Sequence, residues 1–74
     1  MNGQTFRLAQ MFRDQPNVEI PAPELHRAAS GKQQGYCGSL SRRISDLRMT
    51  GMNIEKTRDE YVGTERHTAY TYVV

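Results

Sequence analysis

Three arginines and three serines surround an apolar stripe in the middle of the chain, in the segment GSLSRRISDLRMTG (residues 38–51). Arginine presents a planar fork of N–H donors that matches phosphate oxygens and the paired acceptors of guanine, and serine bonds to several base edges. Leu40, Ile44 and Leu47 follow one another at i, i+4 and i+7, which predicts an amphipathic helix ending at Gly51. The outer side of this helix therefore offers the chemistry of nucleic-acid recognition.

The polar positions of this helix divide into two groups when they are placed at 100° intervals around its axis. Positions opposite the apolar stripe are candidates for reading base edges, and flanking positions suit phosphate contacts, which set the register without reading sequence. The base-reading candidates are Ser41, Arg42, Ser45 and Asp46; the phosphate-contact candidates are Arg27, Lys32, Ser39, Arg43 and Arg48. We expect Asp46 to accept from cytosine or to orient Arg42. Ser39 is expected to cap the helix, and Met49 to pack at its shoulder or to touch a thymine methyl group.

Charge is distributed unevenly along the chain. The net charge is only +2, which by itself does not argue for a nucleic-acid partner. Residues 25–51, however, hold five Lys or Arg against Asp46 alone, a balance of +4, whereas the segments before and after each carry −1. The excess positive charge thus coincides with the arginine-bearing helix, although a solvated helix face is the competing interpretation of these arginines.

Two further helices are expected before this one. Apolar residues at helical spacing in residues 5–14 predict the first, and Pro16 closes it. Pro23 suits the first turn of the second, which ends at Gly31 because glycine readily takes the left-handed conformation. Phe6 points away from the apolar side of the first helix. We expect it to be tucked under the chain end, the alternative being an exposed contact for a partner.

The remaining elements have the two-residue period of β-strands. Val18 and Ile20 alternate with polar neighbours and predict a brief edge strand. Similar alternation in residues 52–55 and 69–74 predicts two more strands, joined by the polar connection RDEYVGTER around Gly63. The apolar ending TAYTYVV would also suit strand-to-strand dimerisation.

The order helix, strand, helix, helix, strand, strand is that of winged helix-turn-helix domains. The segment LSRRISDLRMTGMNIEKTRD resembles their recognition helix and first wing strand, in which an arginine-bearing helix with the cadence RIxxLRxxG precedes a hydrophobic strand. The chain is also similar to the N-terminal domain of the biotin operon repressor and to short bacterial and phage helix-turn-helix proteins. The match is best over residues 39–58 and departs from the family pattern at the glycine-rich residues 31–38.

The resemblance implies an α+β fold, mainly α, in which residues 1–74 form a single domain of three helices and a small antiparallel sheet. The third helix would enter the major groove of double-stranded DNA, and the C-terminal hairpin would form the wing. The wing contacts to the DNA backbone would come from Lys56, Arg58 and Arg66. Four acidic residues of the same hairpin would repel phosphate; they are Glu55, Asp59, Glu60 and Glu65.

Other kinds of chemistry find little support in the sequence. His26 and His67 lie in different elements without carboxylate or cysteine neighbours at ligand spacing, so neither a zinc site nor any other metal is expected. Cys37 lies in a glycine-rich loop of a short chain and is interpreted as an inert thiol. We therefore expect a protein that is not an enzyme and has no cofactor. The chain has no apolar run long enough to span a bilayer, so it is expected in the bacterial cytoplasm or nucleoid.

Two functions remain open. The first is a sequence-reading DNA-binding protein, either a small transcriptional regulator or a phage or mobile-element factor, acting as a homodimer or within a larger assembly. The second is a winged-helix protein–protein interaction module, such as a phage-encoded inhibitor of a host protein. The second is supported by the modest net charge, the acidic hairpin and the potential exposure of Phe6, Tyr61 and Tyr72.

Overall fold

Three helices and a three-stranded antiparallel sheet make up the computed structural model, which describes residues 3–31 and 39–74. The elements are α1 (Gly3–Asp14), β1 (Glu19–Pro21), α2 (Ala22–Ser30), α3 (Leu40–Met49), β2 (Ile54–Val62) and β3 (Glu65–Tyr72). The strand order in the sheet is β1-β3-β2. This mixed architecture confirms the expected α+β class and the expected order of elements.

Helices α1 and α2 pack together through small and apolar side chains. Leu8 and Phe12 of α1 are fully buried, as are Leu25 and Ala29 of α2. The small Ala29 lets the two helices approach closely, and it belongs to the same core cluster as the apolar side of α1. The apolar spacing of both segments thus predicted which sides are buried.

The C-terminus of α2 is closed by a glycine and by an arginine from α1. Gly31 has φ 73° and its amide N–H donates to the carbonyl oxygens of Arg27 and Ala28, as the sequence predicted. The Nη1 atom of Arg7 donates to the Ala29 carbonyl oxygen at 2.9 Å. This hydrogen bond places a positive charge at the C-terminus of α2, which is the negative end of its dipole, and it links α1 to α2.

Helix α3 packs through its apolar side as predicted, but the predicted N-terminal cap is absent. Ile44 and Leu47 are buried against α1 and β2, and Leu40 is nearly so. Ser39 occupies the N-cap position, but its side chain makes no capping hydrogen bond. Its backbone has φ −134° and ψ 49°, outside the extended region that aims a capping hydroxyl at the first-turn amides. The cap prediction is therefore wrong.

The hairpin is longer than the alternation predicted. Residues 58–62 and 65–66, expected in a connecting loop, pair in register up to Val62 opposite Glu65, with a shift between Lys56 and Arg58. Gly63 has φ 66° and begins a two-residue turn, so the position of the turn was correct. The strand ends were missed because both faces of this projecting hairpin are exposed, which removes the apolar alternation.

Strand β3 lies at the centre of the sheet. Its Tyr70 pairs with Ile20 on one side and with Lys56 on the other. Beyond it, the Tyr72 carbonyl oxygen accepts from the Asn17 amide. Both edges of the apolar C-terminal strand are thus occupied from Ala69 onward, so dimerisation through this strand, suggested by the sequence, is contradicted. Within the described ranges, no helix has the length and apolar character needed to cross a membrane.

Candidate nucleic-acid interface

The outer side of α3 is a surface that no other described element covers. Ser41, Arg42, Ser45 and Met49 lie on it and are accessible to solvent, whereas the opposite side packs against α1 and β2. Placement at 100° intervals had assigned Ser41, Arg42 and Ser45 to this surface. The structure therefore brings together three of the four base-reading candidates, and Asp46 lies beside them, partly exposed.

Arg42 presents an unengaged guanidinium at the centre of this surface. Among residues 3–31 and 39–74 it forms no ion pair and no side-chain hydrogen bond. Its five N–H donors are thus free for a partner, and a guanidinium can bond both acceptors of guanine at once. An exposed arginine without a protein partner is the group that such recognition requires.

Arg43, its neighbour in sequence, has a different environment. Its Nε lies 3.4 Å from Asp46 Oδ2, and the side chain is only 15% exposed. The Nε atom is buried and has no hydrogen-bond acceptor. Position 43 lies about 40° around the helix from Leu47, which explains why it packs at the shoulder. Asp46 therefore pairs with Arg43 instead of orienting Arg42, and the phosphate contact of the largely buried Arg43 stays a prediction.

The last turn of α3 presents an apolar side chain and a partly engaged cation. The Nε of Arg48 donates to the Ile54 carbonyl oxygen at 2.8 Å, which ties the helix end to the start of β2. Arg48 is nevertheless an exposed residue, so its terminal nitrogens stay accessible. Met49 is 86% exposed, so its interpretation as a packing residue at the shoulder is wrong.

The other flanking candidates lie in or next to neighbouring segments. Arg27 is exposed in the last turn of α2, and its side chain has no ion-pair partner in the described part of the chain. Ser39 is exposed immediately before α3. Lys32, the remaining phosphate-contact candidate, lies outside the described residues, as does Cys37. These positions leave Arg27, Arg42 and Arg48 as the described cations available to a partner around α3.

The three hairpin cations predicted as wing contacts are all engaged by the protein's own carboxylates. Arg66 donates through Nε and Nη2 to the two carboxylate oxygens of Asp59, each at 2.8 Å. Lys56 Nζ lies 3.8 Å from the same carboxylate. Arg58 Nε lies 3.1 Å from a Glu19 carboxylate oxygen and 3.9 Å from one of Glu60. The sequence predicted these cations as DNA contacts, whereas the structure pairs each of them within the protein.

The bidentate pair at the hairpin perturbs both of its members. The hydrogen bonds from Arg66 hold the pKa of Asp59 below its usual value, and the nearby Lys56 acts in the same direction. In turn, the hydrogen bonds to the Asp59 carboxylate raise the pKa of Arg66 further. Because this pair is exposed, it is screened by salt, and its cation adds little positive potential to the hairpin.

Aromatic exposure differs from the expectation at two positions. Phe6 is 51% exposed, so the interpretation that it is tucked under the chain end is wrong. Tyr72 is partly buried and packs against the core, which removes it from the candidate partner contacts. Tyr61 and Val62 lie at the tip of the hairpin and are 70% and 61% exposed. Val62 was not singled out from the sequence because nothing there showed that the strand extends to it.

An open groove with a volume of about 520 Å³ lies between the start of α2 and the start of β3. His26 and His67, which belong to different elements, both line it, together with Pro21 and Arg66. In the described ranges, no three His, Cys, Asp or Glu side chains gather as metal ligands. No sequence signal pointed to this groove, because its two walls are about forty residues apart in the chain.

Among the described residues, the strongest arrangement for binding is thus the outer side of α3, with one free arginine, two hydroxyls and an exposed thioether. Comparison with known proteins finds no family model, no curated protein and no solved structure that matches this chain.

Proposed function

We propose that the protein is a sequence-reading DNA-binding domain of the winged-helix type, with α3 in the major groove. The order of elements supports this proposal, and so does the position of α3 directly before the hairpin. In this arrangement the helix packs through one side and presents the other to the duplex. Within this proposal the protein acts as a small transcriptional regulator or as a phage or mobile-element factor.

The observation that carries the proposal is the free guanidinium of Arg42. It lies on the exposed side of α3 between Ser41 and Ser45, and it has no partner in the described part of the chain. An arginine that stabilised only the helix surface would be expected to pair with a carboxylate one turn away, and Asp46 is that residue. Asp46 pairs with Arg43 instead, which leaves Arg42 for a base edge.

The size of α3 fits this role. With its side chains an α-helix is about 10–12 Å in diameter, which matches the roughly 12 Å width of the major groove. Arg48 in the last turn of α3 and Arg27 in the last turn of α2 are candidates for phosphate contacts, with Lys32 as a further candidate. Since a single small module buries only about 600–1,000 Å² on DNA, one copy should bind weakly. A tandem or dimeric arrangement would supply the missing affinity.

A salt titration of binding to random duplex DNA tests the proposal. With about three cations contacting phosphate, the slope of log K against log salt should be roughly −3. Arg27→Ala should flatten the slope by about 1, because it removes one phosphate contact. Arg13→Ala is the matched control, since Arg13 is an exposed arginine in the last turn of another helix. Salt-independent binding, or no binding, would overturn the proposal.

A second candidate function is a protein-interaction module that acts through the hairpin. Its support is that the hairpin cations are neutralised internally while Tyr61 and Val62, on successive positions of β2, are both exposed near the tip. Tyr61→Ala combined with Val62→Ser should abolish such an interaction and leave duplex binding unchanged. Loss of duplex binding in this variant would instead place the hairpin tip on the DNA.

A further inference from the structure

Met49 has the highest exposure among the large hydrophobic side chains in the described ranges. It is 86% exposed, whereas the other apolar residues of α3, namely Leu40, Ile44 and Leu47, are at most 9% exposed. The folded core therefore gains almost nothing from this side chain. Any role of Met49 must therefore come from its position on the surface of α3 and not from packing in the core.

Met49 and Arg42 lie on nearly the same line along the helix. Seven residues at 100° each bring Met49 back to within about 20° of Arg42. The rise between them is about 10.5 Å, close to three base-pair steps of about 3.4 Å. Ser45 lies between the two on the same outer side. A helix lying along the groove would thus present a cation, a hydroxyl and a thioether to successive base pairs.

The two residues on either side of Met49 in the chain each form a hydrogen bond to a backbone carbonyl oxygen. Arg48 bonds through Nε to the Ile54 carbonyl oxygen, and the Thr50 hydroxyl donates to the Leu47 carbonyl oxygen at 2.7 Å. The outward group of this turn is therefore the flexible thioether. In the major groove, the apolar feature that such a side chain can contact is the 5-methyl group of thymine.

We infer that Met49 contacts the 5-methyl group of a thymine about three base pairs from the base that Arg42 reads. This inference rests on the proposed function, because it assigns a specificity-determining residue to the same helix face. It also names the sequence class that the face selects, namely duplexes with a guanine and a thymine at that spacing. The sequence alone left Met49 between packing and base contact, and its exposure excludes packing.

Replacement of thymine by deoxyuridine tests the contact directly, since it removes only the methyl group. Duplexes are first selected from a random library with the full chain, and each thymine is then replaced in turn. At one position the change should weaken binding about fourfold, the effect expected for one buried methyl-sized group. Met49→Ala should bind both duplexes equally, and Met49→Leu should retain most of the discrimination because it remains apolar.

The controls separate this inference from the proposed function. Because Met49 is exposed, both variants should melt within a few degrees of the wild-type chain, so weaker binding would not reflect unfolding. Equal binding of thymine and deoxyuridine duplexes by the wild type overturns the methyl contact while leaving DNA binding intact. The methyl contact is also overturned if Met49→Ala still discriminates, or if the selected duplexes lack a thymine at the expected spacing. Absence of binding to every duplex overturns the proposed function itself.

Discussion

Replacing Arg42 with alanine should weaken binding to a preferred duplex by about 5- to 150-fold and leave the fold intact. The size of this effect follows from the roughly 1–3 kcal/mol that a bidentate contact to guanine contributes to discrimination. Because Arg42 is exposed and has no partner among the described residues, its loss should change stability by less than about 0.5 kcal/mol. For a chain of this size that corresponds to a shift in Tm below about 4 °C.

The adjacent Arg43→Ala variant should behave in the opposite way. The Arg43 side chain is 15% exposed and lies 3.4 Å from Asp46, so truncation removes both packing of its stem and an ion pair. A loss of about 1–2 kcal/mol is expected, with a Tm lower by roughly 4–16 °C. Arg43→Met should recover most of this loss, because the stem is retained and the buried Nε, which lacks an acceptor, is gone.

The two variants form a matched pair, since they remove the same charge from neighbouring positions of one helix. Thermal unfolding followed by circular dichroism and duplex binding followed by fluorescence anisotropy can be measured on the same samples. The assigned roles are refuted if Arg42→Ala lowers Tm without affecting binding. They are equally refuted if Arg43→Ala leaves Tm unchanged but weakens binding as strongly as Arg42→Ala.

Three further predictions concern the fold that supports α3. Gly31→Ala should lower stability by about 1–2 kcal/mol in a thermal melt, because Gly31 has φ 73° and a new Cβ would lie 3.3 Å from Arg7 Nε. Arg7→Met should lower it by about 1 kcal/mol through loss of the 2.9 Å hydrogen bond to the end of α2, and an unchanged Tm would contradict this. Since Arg66 lowers the pKa of Asp59, that carboxylate stabilises the fold above its usual pKa, and the contribution disappears as the pH falls through the lowered value. The Tm, measured between about pH 6 and about pH 2, should therefore fall more steeply below about pH 4 for the wild type than for Asp59→Asn. A parallel dependence of Tm on pH in the two proteins would refute the assignment.

Local patterns predicted the features that depend on neighbouring residues in the chain. Apolar residues at helical spacing located the buried side of α3, and Gly31 and Gly63 marked positions that need positive φ. The candidate surface on α3 follows from the same geometry, since the angle between two positions on a helix depends only on their separation. The hairpin strands were underestimated because their exposed faces carry no apolar alternation.

The order of the elements and the buried side of each helix follow from local periodicity and backbone preference, so the amino-acid sequence is enough to predict them. Tertiary structure alone decided which of the described cations are free. Arg42 and Arg43 are the same residue type one position apart, yet only one of them packs against the body of the protein. The pairs formed by Arg58 and Arg66 depend on strand register and on the position of β1. The Arg58–Glu19 pair, for example, joins two segments about forty residues apart, and such a distance of a few ångströms exists only once the core has assembled.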